Sequence, residues 1–217
     1  MRFIMGTTER KNQIRKLRQE DIINAAEKIF FSKGIRNATM DEVAKTAEYS
    51  KRTIYAYFSS KEQIYDAIIS RAYQILNRLL EEAFAKTHPG NGLEKILLIG
   101  QTYLDFTRAY PNYFQAMADY QNRDEDLSSQ DEYKKANYRD GNISADLLIQ
   151  SIREGVDDGS IFKELDPVGT AFILYGNIIG FVNVILKKEK YIAYTYQKDA
   201  TSLIEEMKQL IVRSLRP

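Results

Sequence analysis

The sequence predicts an all-α protein of about nine helices, in which an N-terminal helix-turn-helix head of three helices precedes a helical C-terminal domain. Apolar residues recur at steps of three and four through most of the 217 residues, and no stretch alternates cleanly at the period of a strand. Residues 1–61 contain 13 Lys and Arg against 7 Asp and Glu, whereas residues 62–217 contain 18 against 23. A basic head on an acidic C-terminal domain indicates that only the head meets a polyanion.

Composition excludes several classes of site. The chain has no cysteine, which rules out disulfides, thiol nucleophiles and cysteine-ligated metals. Its single histidine, His88, lies in a Thr-His-Pro-Gly turn, and one histidine cannot form a multi-histidine metal site. The sequence offers no phosphate-cradling glycine loop and no recognisable catalytic set. We therefore expect a protein that is not an enzyme and that uses neither a metal nor another cofactor.

The head is predicted over residues 18–65. An apolar stripe at helical spacing defines the first helix, and Gly34 is placed to end it. Thr39 and Glu42 then have the spacing of a capping box, in which the hydroxyl and the carboxylate each accept a hydrogen bond from an otherwise unpaired amide. A short amphipathic helix follows, and a third helix begins after a turn at 47–50.

The third helix has the features of a helix that reads DNA. Its rear face is apolar, with Ile54 and Phe58 one turn apart, so it can pack on the first two helices. Its outer face offers donors in the first turn and tyrosines further along, as contacts to bases and phosphates require. These side chains are Lys51, Arg52, Thr53, Tyr55 and Tyr57, followed by Lys61 in the next helix. The residues alone leave one alternative open, which is a three-helix unit with a solvated charged face.

Two segments resemble the DNA-binding signature of the TetR/AcrR family of transcriptional regulators. They are TMDEVA at 39–44 and SKRTIYAYFSSKE at 50–62, preceded by a first helix of the Ala-Ala-x-x-x-Phe type. The similarity covers about residues 18–65. It is weaker in the rest of the chain, where IREGVDDGSI at 152–161 is similar to the family's late helices.

The resemblance implies a two-fold dimer that binds a palindromic operator in double-stranded DNA. It implies that Thr39 caps its helix and also reaches the DNA backbone. By position, the implied contacts to bases or backbone come from Lys51, Arg52 and Thr53, and those to phosphates come from Tyr55, Tyr57 and Lys61.

The turn before the third helix departs from the family pattern. The family usually has Ala-Gly-Val-Ser there, whereas this chain has Ala-Glu-Tyr-Ser at 47–50. Glycine suits a positive φ, and Glu48 in the same conformation would carry about 1 kcal/mol of strain. Tyr49 is larger than valine and needs a hydroxyl partner or a path to solvent. We expect a retuned turn, with the angle of the third helix the feature most affected.

Residues 1–17 are predicted as a basic N-terminal arm. The arm could add contacts to phosphates or to the minor groove, and a solvated, disordered tail is the alternative. The cations considered for these contacts are Arg10, Lys11, Arg15 and Lys16 of the arm and Arg18 at the start of the head.

Residues 66–217 are predicted to form a helical effector and dimerisation domain. Clustered aromatic residues could line an apolar cavity with polar tips, which is typical of a small-molecule site, and the family's bodies usually bind effectors. We expect an effector of unknown identity that is largely apolar, and an ordinary core with surface tyrosines is the alternative. The candidate pocket residues are Tyr103, Phe106, Tyr110, Tyr113, Phe114, Met117, Tyr120, Phe172, Tyr175 and Phe181.

Residues 167–186 carry no charged side chain over 20 positions, which is the length of a membrane span. The stretch is isolated and contains asparagines and glycines, so we expect a soluble helix buried on all sides and no membrane partner. The GxxxG spacing within it permits close approach of helices at a subunit interface. The candidate interface residues of the homodimer are Gly176, Gly180, Leu203, Met207 and Leu210.

These features favour a cytoplasmic, sequence-specific DNA-binding regulator that responds to a small molecule. In this interpretation the protein is a repressor that the effector releases from a palindromic operator. A constitutive or architectural DNA-binding protein without an effector is the alternative that the sequence leaves open.

Overall fold

The computed structural model describes residues 7–122 and 128–217, and within these ranges it is built from helices with no strand. The predicted all-α class with an N-terminal helix-turn-helix is confirmed. The described elements are α1 (Thr7–Lys33), the 3-10 turn η1 (Ile35–Asn37), α2 (Met40–Thr46), α3 (Lys51–Tyr55), α4 (Lys61–Thr87), α5 (Gly92–Ala109), α6 (Pro111–Gln121), α7 (Glu132–Asp157), α8 (Pro167–Tyr196) and α9 (Ala200–Leu215).

The chain forms two compact units. The head unit contains the described parts of Met1–Ala72 and Arg123–Asn137, and the body unit contains Tyr73–Asn122 and Tyr138–Pro217. The boundaries fall inside α4 and α7, so each of these helices contributes residues to both units. The head unit is therefore larger than the predicted residues 18–65.

The head unit is organised around the apolar face of α1. That helix begins at Thr7, so residues 7–17 of the predicted arm continue it, and the six residues before Thr7 lie outside the described part of the chain. Gly34 ends α1 at a φ of 79°, and its amide donates to the Phe30 carbonyl at 2.9 Å. Side chains from α1, α2, α3, α4 and the segment between α3 and α4 form its core, and they include Ile22, Ala26, Phe30, Val43, Ala44, Ile54, Phe58, Ile64 and Ile68.

The capping box predicted at the start of α2 is present. The Glu42 amide donates to the Thr39 hydroxyl at 3.3 Å, and the Thr39 amide donates to the Glu42 carboxylate at 3.0 Å. The Lys33 ammonium also bonds to Glu42, and this bond and those from Thr39 hold the pKa of the Glu42 carboxyl below its usual range. The box therefore fixes the start of α2 against the end of α1.

The turn between α2 and α3 has the strained residue and the tyrosine partner that its unusual sequence predicted, and the effect on the angle of α3 stays a prediction. Glu48 lies in the left-handed region with a φ of 58°, where a side chain is strained. The Tyr49 hydroxyl donates to the Asp21 carboxylate of α1 at 2.9 Å, and this hydrogen bond raises the pKa of Tyr49. The tyrosine therefore anchors the strained turn to the first helix.

The first turn of α7 belongs to the head unit because its side chains pack there. The Tyr133 ring stacks on Phe58, with the ring centroids 5.6 Å apart. The Gln63 amide donates to the Asp131 carboxylate at 2.6 Å, and the same carboxylate caps α7 by accepting from the Tyr133 amide at 2.9 Å. These long-range contacts are invisible in local sequence patterns.

In the body unit, α5 and α7 approach closely through two glycines. A Cβ built on Gly92 would lie 2.1 Å from the Gly155 amide nitrogen, so no side chain fits at this crossing. The first amides of α5 are satisfied across the same contact, because Gly92 donates to the Asp158 carboxylate at 2.8 Å and Leu93 to the Ser160 hydroxyl at 3.1 Å. The segment that resembled the family's late helices therefore fixes the start of α5.

The expectation that the charge-free helix is buried on all sides is wrong for the single chain. Asp166 caps α8, with the Gly169 amide donating to the carboxylate at 2.6 Å. By length and composition α8 could cross a membrane. Only 22% of its most apolar stretch is buried, whereas the core helix of a soluble protein is mostly buried. Phe172 and Ile173 are each 65% exposed, because α8 packs on α5 and α9 with one face and turns the other outward.

We predict that Glu48→Gly stabilises the protein. The substitution removes left-handed strain of about 1–2 kcal/mol, and the greater freedom of glycine in the unfolded chain offsets about 0.5–1 kcal/mol of this gain. Urea unfolding should therefore show a net gain of up to about 1.5 kcal/mol. Lys45→Gly, inside α2, is the matched control and should destabilise by about 1 kcal/mol. A destabilised Glu48→Gly would contradict the strain assigned to this turn.

Candidate functional site

The residues predicted to meet DNA come from the start of α2, from α3 and the segment after it, and from the start of α4. Ser50 caps α3, with the Thr53 amide donating to its hydroxyl at 3.1 Å. Buried Ile54 fixes the rear of the helix, which leaves Lys51 and Arg52 exposed and Tyr55 48% exposed. The arrangement presents two cations and a phenol outward from one short helix.

Lys51 is engaged by an acid of α2 in the free protein. Its ammonium lies 2.8 Å from the Asp41 carboxylate, and this pairing raises the pKa of Lys51. Both side chains are exposed, so solvent weakens the pair and another anion can replace Asp41. Lys51, which is predicted to contact DNA, therefore pairs with Asp41 of α2 in the free protein and can exchange this partner for another anion.

Tyr57 is held by two cations of α1. The Arg15 guanidinium lies 5.8 Å from the centre of the Tyr57 ring, a cation–π distance, and a hydrogen bond with Tyr57 raises the pKa of Arg18. An open groove runs between α1 and the segment that contains α3 and Tyr57. Its lining residues are Lys11, Ile14, Arg15, Arg18, Ser50, Arg52, Thr53, Ala56 and Tyr57.

This groove places three cations of the N-terminal segment beside the third helix of the head. Lys11, Arg15 and Arg18 follow one another at steps of four and three, so they share one face of α1. The same face borders Arg52. Four basic side chains therefore line one concave, solvent-open surface.

Lys61 makes intramolecular bonds that the sequence did not predict. Its ammonium donates to the carbonyls of Ile35 at 2.9 Å, Arg36 at 3.2 Å and Ala38 at 3.2 Å. Lys61 thereby ties the start of α4 to the segment that precedes α2. A phosphate contact from Lys61 stays a prediction, and such a contact would compete with these three bonds.

Part of the predicted aromatic pocket set comes together in the core of the body unit. Tyr103, Phe106, Phe114 and Met117 are all buried. The Tyr103 ring packs at right angles on Phe114 and on Tyr175, with centroids 6.4 and 6.3 Å apart. Helices α5, α6 and α8 therefore contribute to one aromatic cluster.

The remaining candidates are distributed around this cluster. Tyr110 is half-buried and packs on Phe106 with ring centroids 5.6 Å apart, and Tyr113 continues the row from Tyr110 at 6.2 Å. The half-buried Tyr120 lies 6.4 Å from Tyr138, and Phe181 is also half-buried. The prediction that Phe172 lines the pocket is wrong, because Phe172 lies on the exposed face of α8 and does not line the interior.

Sequence reasoning missed a polar component of the same core. Tyr73 of α4 is buried, and its hydroxyl interacts with the Gln121 and Tyr175 side chains. Burial raises the pKa values of Tyr73, Tyr103 and Tyr175, so all three phenols are neutral at ordinary pH. Tyr73 was overlooked because it falls within an otherwise ordinary apolar stripe of α4. Gly141 of α7 lies opposite the Tyr73 ring, and a Cβ built on Gly141 would lie 3.3 Å from that ring. This glycine indicates the position of Tyr73 only after α7 has been placed beside α4.

The predicted interface residues lie on α8 and α9 with different exposures. Nothing comes within 4 Å of a Cβ built on Gly176 or Gly180, so both glycines face open space. Leu210 is 65% exposed, while Leu203 and Met207 are half-buried. Among the residues described, no group of three or more acidic or histidine side chains is placed to hold a metal ion.

The head matches a known family. Residues 22–68 fit the model of the bacterial regulatory proteins of the tetR family. The uncharacterised HTH-type transcriptional regulator YhgD of Bacillus subtilis is 28% identical over 160 residues, which cover 72% of this chain and 78% of that protein. The negative transcriptional regulator IcaR of the Staphylococcus aureus biofilm operon icaADBC is 31% identical over 62 residues, which cover 29% of this chain and 33% of IcaR.

The fold as a whole is similar to solved structures. The transcriptional regulator FadR of Bacillus subtilis, in complex with stearoyl-CoA, superposes with a TM-score of 0.71. The match covers 90% of this chain and 98% of FadR at 19% sequence identity, so it bears on the fold alone.

We predict that Lys61→Ala destabilises the protein by about 1–3 kcal/mol. The change leaves three carbonyl groups without their charged donor, and hydrogen bonds from charged groups contribute more than neutral ones. Lys45→Ala, which alters an exposed lysine of α2, should change stability by less than about 0.5 kcal/mol. If equilibrium unfolding shows the two variants to be equally stable, the three bonds of Lys61 contribute nothing to the head.

Proposed function

Because this chain belongs to the TetR family of bacterial regulatory proteins, we propose that it is a dimeric repressor that a small molecule releases from a palindromic DNA operator. The protein would act in the cytoplasm, where the DNA and a largely apolar effector are both available. The proposal has three parts, which are DNA binding by the head, association through α8 and α9, and binding of an effector in the body.

The basic surface at the third helix of the head is the observation that carries the proposal. Exposed Lys51 and Arg52 lie on the first turn of a helix whose rear face is buried, which is how a recognition helix meets base edges in the major groove. Lys11 and Arg15 line the adjoining groove and are suited to phosphates. The continuous helix α1 would therefore take part in binding in place of a flexible arm.

A second copy of this chain is the partner we propose for the outer face of α8. That face combines large apolar side chains such as Phe172 and Ile173 with the open Gly176 and Gly180, so another helix can approach closely. An isologous contact of this kind produces the two-fold symmetry that palindromic half-sites require. Solubility without detergent would separate this interface from a membrane span.

The effector would bind at the aromatic core of the body. Helix α4 contributes buried side chains to both units, so it is the element through which a change in body packing would reach the head. An effector shifts DNA binding only by its difference in affinity for the two packings, typically about 1–3 kcal/mol. IcaR, similar in its head, is a negative regulator, which favours repression here as well. A constitutive DNA-binding protein without an effector is the competing function.

Selection of bound sequences from random DNA tests the proposal directly. We expect a consensus with two-fold symmetry. A reporter gene placed behind that consensus should then be expressed less when the protein is present, which tests the sign of regulation. Selection that returns no preferred sequence would contradict sequence-specific binding, and a consensus without symmetry would contradict the dimer.

We predict different effects for two arginines of the DNA surface. Arg52→Ala should lose about 1–3 kcal/mol on the consensus and flatten the sequence preference, if Arg52 contacts a base edge. Arg15→Ala should weaken binding to all sequences about equally and reduce the slope of log affinity against log salt by about 1. Fluorescence anisotropy at several salt concentrations measures both quantities. Arg78→Ala, an exposed arginine of the body, is the control and should change neither.

We predict that Gly176→Leu and Gly180→Leu lower the affinity of the dimer. Each leucine would fill the space that close helix approach needs, whereas within one chain nothing lies near enough to clash. Leucine is also the better helix former, so the folded monomer should be preserved. Sedimentation velocity should show a concentration-dependent monomer, and Asn142→Leu on α7 should sediment as the parent does. Unchanged sedimentation of both glycine variants would place the interface elsewhere.

A further inference from the structure

The aromatic core of the body unit contains a group of polar side chains that the proposed function does not yet explain. Tyr73, Tyr103 and Tyr175 come from α4, α5 and α8, and each interacts with the other two. Gln121, the last residue of α6, interacts with the Tyr73 hydroxyl. Asn77 lies one turn after Tyr73 on α4 and is buried, with its amide donating to the Asp140 carbonyl at 2.8 Å. We call these five residues the polar cluster.

Three atoms of the polar cluster are buried without a hydrogen bond. They are the Tyr103 hydroxyl, the Gln121 amide nitrogen and the Asn77 amide oxygen. Tyr103 interacts with Tyr175, and Gln121 interacts with Tyr73. Neither the Tyr103 hydroxyl nor the Gln121 amide nitrogen, however, makes a hydrogen bond of acceptable geometry with any described residue. Folded proteins satisfy the great majority of their buried polar groups, because each unpaired group lowers stability. Three unpaired atoms in one cluster therefore indicate a partner that the chain itself does not supply.

The chemistry of the polar cluster limits what that partner can be. The amide nitrogen of Gln121 donates only, the amide oxygen of Asn77 accepts only, and the Tyr103 hydroxyl can do either. None of the five side chains is cationic, so a carboxylate or phosphate would be buried without a counter-charge, which is costly. The carboxylate of Asp140, the residue whose carbonyl accepts from Asn77, already pairs with Arg139 at 2.8 Å. The surrounding rings, Phe106 and Phe114, are fully buried and apolar.

We propose that the polar cluster binds an uncharged oxygen group, a ketone or an alcohol, at the buried end of an otherwise apolar effector. Such a group accepts hydrogen bonds from the Tyr103 hydroxyl and the Gln121 amide. The inference rests on the proposed ligand response of the body, and it specifies the class of ligand.

A matched set of small probes tests the inference on the intact protein. The probes are 2-octanone, 2-octanol, octanoate and 2-methyl-1-octene, in which a CH₂ group replaces the ketone oxygen. Binding can be followed by tyrosine fluorescence, because the chain has 15 tyrosines and no tryptophan. We expect 2-octanone and 2-octanol to bind at least about 10-fold more tightly than octanoate, since only the anion must be buried without a counter-charge. Tighter binding of octanoate, or no binding of any probe, would overturn the inference.

Tyr103→Phe separates hydrogen bonding from general apolar affinity. The variant should bind 2-octanone about 5- to 10-fold more weakly, which is the usual value of one hydrogen bond, and should bind 2-methyl-1-octene as the parent does. Tyr194→Phe, at a 91% exposed position, is the control and should change neither affinity. An equal loss of affinity for both probes in Tyr103→Phe would show that the hydroxyl does not recognise oxygen.

The stability of the free protein provides a second readout. Removal of a hydroxyl that has a structural partner lowers the stability of the protein, whereas removal of an unpaired buried hydroxyl does not. The midpoint of thermal unfolding of Tyr103→Phe should therefore be equal to or higher than that of the parent. A midpoint lower by several degrees would assign the hydroxyl a structural role and overturn the inference.

The selected operator keeps this test distinct from a test of the proposed function. If the protein binds its consensus while the probes fail, the inference is wrong and DNA binding stands. If selection from random DNA returns no sequence while the ketone binds through Tyr103, the ligand class is supported and the regulatory function fails.

Discussion

The fold depends on one helix that must serve two hydrophobic cores. The helix α4 is 27 residues long, and its apolar stripe has Ile64 and Ile68 buried in the head unit and Leu76 and Leu80 buried in the body unit. Most of the stability of such a helix comes from the packing of this stripe and not from intrinsic propensity. Neither core can therefore be repacked along α4 without a change in the helix that supports the other.

The parts of the site that were predictable are those that depend on neighbouring residues. The strain at Glu48 and the need for a partner at Tyr49 follow from the chemistry of one turn, and both are present in the structure. The bonds of Lys61 to three carbonyls were not predictable, because their acceptors lie more than 20 positions away along the chain. The same reason hid Tyr73, whose partners are on other helices.

The charge-free segment shows what an apolar pattern can and cannot specify. A buried core helix, a subunit interface and a membrane span all read as a run without charges, so the pattern of residues 167–186 could not separate them. Burial separates the first from the other two, and the exposure of Phe172 and Ile173 excludes a core helix within one chain. The same exposure explains why Phe172 was wrongly grouped with the interior aromatics, since an aromatic residue is equally suited to either side of an apolar helix.

Under the proposed function, the pair between Lys51 and Asp41 affects the search along DNA. A lysine that contacts DNA from this position must first break its pair with the carboxylate, so the affinity for every DNA sequence is lowered by the same small free energy. A free-energy cost common to all sites leaves the ratio of their affinities unchanged and shortens the residence time on each of them. Because the genome offers far more wrong sites than right ones, time lost on wrong sites limits how soon the right one is found. If Lys51 contacts DNA as proposed, its pairing with Asp41 thus lowers the affinity for every site and speeds the search.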